Sequence, residues 1–283
     1  MSGSIVTHFR APLLVLSLWL VSAAAQAGDH ITWLHPEFPP SYIGDGEFKG
    51  QGYLDLQLTV LQLMMPGFAH TTVAAPLARI WHEMPHDDGL CFLGASPTDE
   101  RLKVGLFSKR GILTPIIQLA MREERSDRIR PYLNADGEVD LEKLKAAPGL
   151  TGAYTDTATY GRIIDDFLHS HDHAAPLNRV VEMRQPLTLL ANGRTDFIFV
   201  WPEQLTYFKR STHSDFATVS FKVARTTAAQ PYYVACSKGP VGQRAIAQID
   251  AMLNEAETWH AFVAPLKIWF PPVDYERAYR GIE

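Results

Sequence analysis

The chain has 283 residues, two cysteines and a formal net charge of −5 at neutral pH. This weak negative charge argues against nucleic acid or anionic lipid as a partner. The length is sufficient for one large domain or two modest domains, each with its own core.

The first 27 residues have the three parts of a secretory signal peptide. Arg10 precedes an apolar run over residues 11–25, and Ala25-Gln26-Ala27 provides an A-x-A cleavage site. The apolar run is shorter than the ~20 residues of a membrane-spanning helix, so an uncleaved anchor is the weaker alternative. We therefore expect export of the chain and cleavage before Gly28.

The hydrophobic pattern predicts a first α/β unit in the amino-terminal half. Strands are expected at 30–38, 71–75 and 90–95, and helices at 52–65 and 77–84. A strand over residues 112–122 then leads out of this unit. The alternation of strands and helices predicts a parallel sheet with helical cover.

A second α/β alternation follows a charged run at 123–130, to which no element is assigned. Strands are expected at 150–154, 180–182 and 197–201, with helices at 139–145, 160–169 and 186–191. A return strand at 232–237 and a helix at 241–256 follow, and 266–270 has no assigned type. This order predicts two α/β lobes with a ligand crevice at the carboxyl ends of the strands.

Residues 91–108 join two apolar runs through a polar turn that contains one arginine. Thr98 is suited to a helix start, and Arg101 could donate two parallel hydrogen bonds to a carboxylate. A solvated surface charge is the alternative interpretation of Arg101. Cys91 and Cys236 lie in strand-like runs and could form a disulfide in an oxidising compartment, or could be two small buried hydrophobic residues.

Two histidine patterns resemble metal sites without meeting their requirements. His82-Glu83-Met84-Pro85-His86 matches H-E-x-x-H, but Pro85 ends the helix that would place both imidazoles on one face. The histidines at 169, 171 and 173 have no cysteine partner nearby, and their spacing fits no standard site. We expect no metal and no cofactor.

Five segments, taken in order, resemble the type II periplasmic solute-binding proteins of extracellular solute-binding family 3. They are FPPSYIGDGEFKGQGYLDLQL from 38, SPTDERLKVGLFS from 96, GAYTDTATYG from 152, LLANGRTDFIFVWPEQL from 189 and YYVACSKGPVGQRAIAQIDAML from 232. Together they span nearly all of the mature chain. The GQGY segment and the cysteine in the third strand are similar to a poorly characterised branch of that family.

The resemblance implies a two-lobed Venus-flytrap fold in which each lobe is a mostly parallel sheet with one antiparallel strand, covered by helices. Lobe I would comprise 28–118 and 232–283, and lobe II would comprise 119–231. The protein would be a periplasmic monomer without catalytic activity. It would bind an amino acid or another small carboxylate-bearing solute and deliver it to the permease and ATPase of an ABC importer.

The resemblance also implies a ligand site between the lobes. In amino-acid binders of this family, the arginine of the T-x-E-R turn binds the ligand carboxylate. A small polar residue and a hydroxyl at a helix start in lobe II complete this carboxylate site, and an aromatic ring stacks on the ligand. The matching positions here are Phe38, Ser96, Arg101 and Thr157. Independently of the resemblance, the Gly-rich loop over residues 41–52 could close over a ligand and present Phe38 and Tyr42 to it, with ordinary packing of these two rings as the alternative.

One position departs from the family pattern. Amino-acid binders usually have an aspartate five residues after the aspartate of G-R-x-D, where it pairs with the ligand ammonium, whereas this chain has Trp201. Either Glu203 or Asp156 replaces the missing carboxylate, or the ligand has no α-ammonium group. Trp201 itself could stack on an aromatic ligand or lie in the core.

Two other functions are compatible with this scaffold. An enzyme of the cyclohexadienyl-dehydratase type would need a titratable acid beside the arginine, for which Glu203 and Asp156 are the candidates. A sensory module would present its ligand to a separate membrane receptor. The sequence contains no clear acid–base pair and no fused signalling domain, so binding is favoured.

Overall fold

The computed structural model describes residues 3, 29–156, 158–170, 174, 176–227 and 229–279. The expected signal peptide therefore lies outside the described residues, except for residue 3, and its cleavage stays a prediction. Within the described ranges, no helix combines the length and the apolarity needed to cross a membrane.

Eleven strands and eleven α-helices are present in the described ranges. The strands are β1 (His30–His35), β2 (Ala69–Ala74), β3 (Leu90–Ala95), β4 (Gly105–Phe107), β5 (Ile112–Pro115), β6 (Gln118–Arg122), β7 (Gly152–Thr155), β8 (Leu177–Val180), β9 (Phe197–Val200), β10 (Thr218–Phe221) and β11 (Ala229–Ser237). The helices are α1 (Tyr53–Met64), α2 (Leu77–Glu83), α3 (Asp99–Val104), α4 (Leu141–Lys145), α5 (Arg162–Leu168), α6 (Gln185–Ala191), α7 (Pro202–Ser211), α8 (Pro240–Asn254), α9 (Ala256–Val263), α10 (Leu266–Trp269) and α11 (Pro272–Tyr279), with a 3-10 helix at Glu123–Tyr132.

The strands form two separate sheets with the same arrangement. The first sheet has the order β2-β1-β3-β11-β4, with β5 also paired to β11, and the second has the order β8-β7-β9-β6-β10. In each sheet three strands run parallel and a fourth, β11 or β6, joins them antiparallel. The predicted fold class, two α/β lobes with one antiparallel strand in each sheet, is confirmed.

In each sheet, the antiparallel strand, β11 or β6, is the first strand that the chain forms after it crosses from the other lobe. The first crossing lies between β5 and β6, and the return lies between β10 and β11. Lobe I has one core cluster around Trp33, Leu61 and Phe262. Lobe II has a cluster on each side of its sheet. The crossings agree in outline with the predicted lobe boundaries, whose positions at 118/119 and 231/232 stay a prediction.

One segment differs from its predicted structure, and two further segments form helices that the sequence analysis did not predict. The run over 112–122 forms two strands in different sheets, because the chain leaves one lobe between Pro115 and Gln118. The charged run that begins at 123 forms the 3-10 helix, whose arginines bind a buried carboxylate described below. The tail after Pro271 forms α11, because Tyr275 and Tyr279 are apolar enough on one helix face to pack into the core of lobe I.

The expected Cys91–Cys236 disulfide is confirmed. Cys236 lies directly opposite Cys91 where β11 pairs antiparallel with β3, and the two Cα atoms are 4.1 Å apart. Both residues are fully buried in the core of lobe I. The bond therefore ties the chain that returns from lobe II to the third strand of lobe I.

Asp196, at the start of β9, holds the 3-10 helix to the second sheet. Its buried carboxylate accepts hydrogen bonds from the guanidinium groups of Arg125 (3.2 Å) and Arg128, and from the backbone N–H of Thr151 (2.9 Å). One carboxylate thus satisfies three donors from two other segments of lobe II, the 3-10 helix and the chain before β7.

We expect the substitution Asp196→Ala to lower the free energy of unfolding by about 2–3 kcal/mol, since it leaves one buried N–H and two partly buried guanidinium groups without their acceptor. Urea denaturation followed by circular dichroism measures the loss. The matched control is Asp45→Ala, at an exposed aspartate in lobe I. Equal midpoints for the two variants would contradict the structural role assigned to Asp196.

Candidate functional site

A cavity of about 380 Å³ lies beside the two crossings between the lobes. Ile116 and Ile117 of the first crossing form one wall, and residues 225–227 and 230 of the return form another. Lobe II adds residues 159–164, at the start of α5, and Trp201, at the end of β9. The volume lies within the range of about 300–1,000 Å³ that is typical of small-molecule sites.

Aromatic side chains from both lobes meet at the edge of this cavity. Trp201 stacks on Tyr160 with ring centres 6.4 Å apart and an angle of 18° between the planes. Phe38 of lobe I contacts the same indole edge-on, with ring centres 6.2 Å apart, and keeps 39% of its surface exposed. Two residues chosen from the sequence as ligand contacts, Phe38 and Trp201, are therefore brought together across the lobes.

Arg101 and Ser96 are also neighbours, but they do not line this cavity. Thr98 caps α3 by accepting a hydrogen bond from the backbone N–H of Arg101 (3.3 Å). The guanidinium lies over the Trp81 ring at 4.8 Å and donates from Nη1 to the carbonyl oxygen of Ser96 (3.0 Å). Partial burial lowers the pKa of Arg101, although an arginine remains charged at neutral pH. The arrangement leaves further guanidinium N–H groups available for an anion.

The other two predicted ligand residues are placed differently. Tyr42 is buried in the core of lobe I, where its ring stacks on His35 at 4.6 Å and its hydroxyl donates to the carbonyl oxygen of Leu93 (2.9 Å). Burial raises the pKa of this hydroxyl. Thr157 lies outside the described residues. Their roles in ligand binding stay predictions.

Neither carboxylate considered as a replacement for the missing aspartate lines the cavity. The Oδ2 atom of Asp156 accepts a hydrogen bond from Nη2 of Arg179 at 2.5 Å. Glu203, at the start of α7, is 4% exposed, and its Oε2 atom has no hydrogen-bond partner. Burial is the main cause that raises the pKa of Glu203 to about 8, and the nearby carboxylate of Asp274 contributes further. Glu203 is thus a largely protonated acid at neutral pH, and it does not belong to the cavity lining.

The described residues contain no group of three side chains suited to hold a metal ion. The imidazoles of His82 and His86 are 5.8 Å apart, and α2 ends at Glu83, before the second of them. The residues at 171 and 173 of the other histidine pattern lie outside the described residues.

Comparison with solved structures identifies the fold. A probable amino-acid ABC transporter extracellular-binding protein of Bacillus subtilis superimposes with a TM-score of 0.62 at 15% identity, covering 85% of this chain and 97% of its own. The L-cystine solute receptor of Neisseria gonorrhoeae, unliganded and open, gives 0.59 at 15% identity, covering 86% and 93%. An ancestral amino-acid-binding protein, described as a precursor of cyclohexadienyl dehydratase, gives 0.57 at 15% identity, covering 86% and 96%. No protein-family model and no curated protein sequence matches the chain.

The chain has the type II periplasmic-binding-protein fold. The similarity extends over both lobes, because more than four fifths of this chain and more than nine tenths of each relative are aligned. At these identities the similarity defines the architecture and leaves the ligand to be argued from the residues of the cavity.

Sequence reasoning missed most of the residues that line the cavity. Thr226, Thr227 and Gln230 come from the return crossing, which carries no recognisable motif. Arg162 is the first residue of α5 and follows Gly161, whose φ of 88° allows the chain to turn there. Both residues line the cavity. A Tyr-Gly-Arg turn before an apolar helix was the available signal, and its arginine lies one residue beyond a segment that resembles the family.

Proposed function

We propose that the protein is an exported solute-binding protein that encloses a small, carboxylate-bearing solute between its lobes and delivers it to an ABC importer. The observation that carries the proposal is the cavity at the crossings, where aromatic rings of lobe I and lobe II meet on a two-lobed binding-protein scaffold. Closure of two lobes around a ligand is the motion that such crossings permit.

Export supports this proposal. The disulfide joins two buried cysteines, and such bonds persist in oxidising compartments and are rare in the cytosol of mesophiles. The N-terminal pattern of residues 1–27 agrees with secretion. The periplasm, the cognate permease and ATPase, and the monomeric state belong to the same proposal.

A thermal-shift screen of amino acids, organic acids and aromatic compounds tests solute binding directly. A ligand supplied at 100 times its Kd stabilises the folded state by about 2.7 kcal/mol, which is a shift of several degrees for a protein of this size. The proposal is wrong if no member of the library shifts the melting temperature.

The substitution Arg101→Ala should weaken binding of a carboxylate-bearing ligand about 30- to 100-fold, because a charge-assisted hydrogen-bond pair contributes roughly 2–3 kcal/mol. Isothermal titration calorimetry with the compound found in the screen measures this effect. Arg244→Ala is the control, since Arg244 lies on α8 and pairs with Asp29 on the exterior of lobe I. Unchanged affinity in Arg101→Ala would remove this residue from the site without affecting the proposed function.

An enzyme of the dehydratase type is the second candidate, because Glu203 is an acid that keeps its proton at neutral pH. A general acid must reach the reacting atoms, however, and Glu203 does not line the cavity. Turnover of a prephenate-like substrate, lost in Glu203→Gln, would establish catalysis and overturn the binding proposal.

A further inference from the structure

The cavity at the crossings contains an unusual set of charges. Two arginines, Arg162 and Arg225, contribute to its lining, and no aspartate or glutamate does. The rest of the polar lining consists of neutral hydroxyl and amide groups such as those of Thr159, Thr227 and Gln230. The local charge of the cavity wall is therefore positive, although the whole chain is acidic.

Both arginines are without a partner among the described residues. No hydrogen bond or ion pair within that part of the chain uses the guanidinium of Arg162 or of Arg225. Both residues are exposed, as is Arg194, whereas two other arginines of lobe II form ion pairs: Arg122 pairs with Glu124, and Arg179 pairs with Asp156. Two uncompensated guanidinium groups in the lining of one cavity repel each other, so an anion between them would be stabilised by both.

Two carboxylates contribute to a neighbouring groove that shares both arginines with the cavity. This second groove shares Arg162, Ile163 and Arg225 with the cavity, and Glu142 of α4 and Asp166 of α5 contribute to its lining. These two carboxylates face the groove and form no ion pair with either arginine in the described structure. The side of the guanidinium groups that faces the cavity is thus left to a ligand.

The remaining walls are suited to an apolar or flat ligand body. Trp201 and Tyr160 present stacked rings, and Ile116 and Ile117 present aliphatic surface. A positively charged ligand group would meet two arginines and no counter-charge here, and its desolvation would be unfavourable. The absence of a carboxylate from this wall agrees with Trp201 in place of the aspartate expected for amino-acid binders.

From this lining we infer that the cavity is a subsite for an organic anion with an aromatic or apolar body and no ammonium group. The carboxylate lies between Arg162 and Arg225, and the body packs against Trp201. This inference rests on the proposed solute-binding function and specifies the charge class of its ligand. Arg101 lies outside the lining of this cavity, so the two anion-binding positions can be tested separately.

Calorimetric titration with three compounds of equal ring size and different charge tests the inference. Indole-3-acetate is the anion, indole-3-acetamide the neutral analogue and tryptamine the cation. We expect the wild-type protein to bind indole-3-acetate at least tenfold more tightly than the amide, and to show no measurable binding of tryptamine.

Single substitutions then locate the anion. Arg162→Ala and Arg225→Ala should each weaken binding of indole-3-acetate at least tenfold and leave binding of the amide unchanged. Arg194→Ala is the control, because Arg194 is an exposed arginine of lobe II outside the cavity lining and its loss changes the net charge equally. Circular dichroism verifies that each variant is folded.

Three results would overturn the subsite: no binding of indole-3-acetate by the wild-type protein, tryptamine binding as tight as that of the anion, or equal affinity of the anion for wild-type, Arg162→Ala and Arg225→Ala proteins. The proposed function fails on a different observation, which is the absence of any ligand in the broad thermal-shift screen. An ammonium-bearing amino acid found in that screen, with unchanged affinity in both arginine variants, would retain the binding function and refute the anion subsite.

Discussion

Loss of the Cys91–Cys236 disulfide is expected to lower the free energy of unfolding by about 3–5 kcal/mol. The bond closes a loop with a sequence separation of 145 residues, which includes the whole of lobe II. Chain-entropy arguments assign about 5 kcal/mol to a loop of this length, and native disulfides typically contribute 2–5 kcal/mol. For a protein of this size the loss corresponds to a decrease in melting temperature of roughly 10 °C.

Comparison of oxidised and reduced wild-type protein isolates the bond from other changes. The reduced sample is unfolded and refolded in reductant, since both cysteines are fully buried and reductant alone should not reach them in the folded state. The urea midpoint of the reduced protein should be lower, and that of a Cys91→Ala/Cys236→Ala variant should not respond to reductant. Equal midpoints for the oxidised and reduced wild-type proteins would show that strand pairing alone holds β11 against β3.

Elements with a strong internal pattern were predictable from sequence. The apolar face predicted for a helix at 52–65 corresponds to α1 (Tyr53–Met64), because Pro66-Gly67 cannot continue a helix. The apolar run at 90–95 corresponds to β3, which is buried along almost its whole length between strands and helices. Local chemistry decides these elements, so a single sequence is sufficient to place them.

Elements decided by tertiary contacts were not predictable. The separation of β5 from β6 depends on the chain passing between two sheets, and the apolar run over 112–122 contains no strong break except Pro115. The 3-10 helix is stabilised because Arg125 and Arg128 donate hydrogen bonds to one buried carboxylate, that of Asp196. This partner lies 71 and 68 residues further along the chain. No local rule reveals such a distant partner.

The ligand site, like the fold, was only partly predictable from sequence. Phe38 and Trp201 were selected from sequence and meet at the cavity edge. Arg162 and Arg225 are 63 positions apart and belong to segments without a catalytic or binding motif, so only the folded chain places both in the lining of one cavity. The family resemblance indicated only positions at which amino-acid binders of that family contact their ligands. It therefore could not indicate Arg162 and Arg225, which are not among those positions.

Glu203 is expected to make the protein less stable as the pH rises. Its folded-state pKa of about 8 exceeds the ordinary value of 4.5, so folding favours the protonated carboxyl. The resulting stabilisation is fully present below pH 4.5 and is lost as the pH rises through 8. A shift of this size corresponds to about 3–5 kcal/mol between the two limits.

The environment of Glu203 explains why ionisation is unfavourable. Glu203 lies in α7 of lobe II and faces Asp274 of α11 and Tyr53 of α1. Asp274 is itself buried, with a raised pKa, and accepts hydrogen bonds from Gln118 (3.0 Å) and Arg277 (3.2 Å). A second negative charge here would repel Asp274 across the contact between the lobes, with no donor to Glu203 Oε2.

The substitution Glu203→Gln should remove this dependence, because the amide has the shape of the protonated acid and cannot ionise. Urea denaturation at pH 5, 7 and 9 should give similar free energies for wild-type and variant proteins at pH 5, and a variant more stable by about 2–4 kcal/mol at pH 9. The difference between the two proteins is the informative quantity, since groups common to both cancel. Glu276→Gln, at an exposed position of α11, controls for the loss of one negative charge.

Parallel stability curves for wild-type and Glu203→Gln proteins would mean that water or a donor reaches the carboxylate in solution. A gain in stability confined to high pH would establish that the contact between α7 and α11 is held by a protonated acid. Because α7 belongs to lobe II while α11 packs on β5 of lobe I, ionisation of this one carboxyl group would then weaken the packing of lobe II against lobe I as well as global stability.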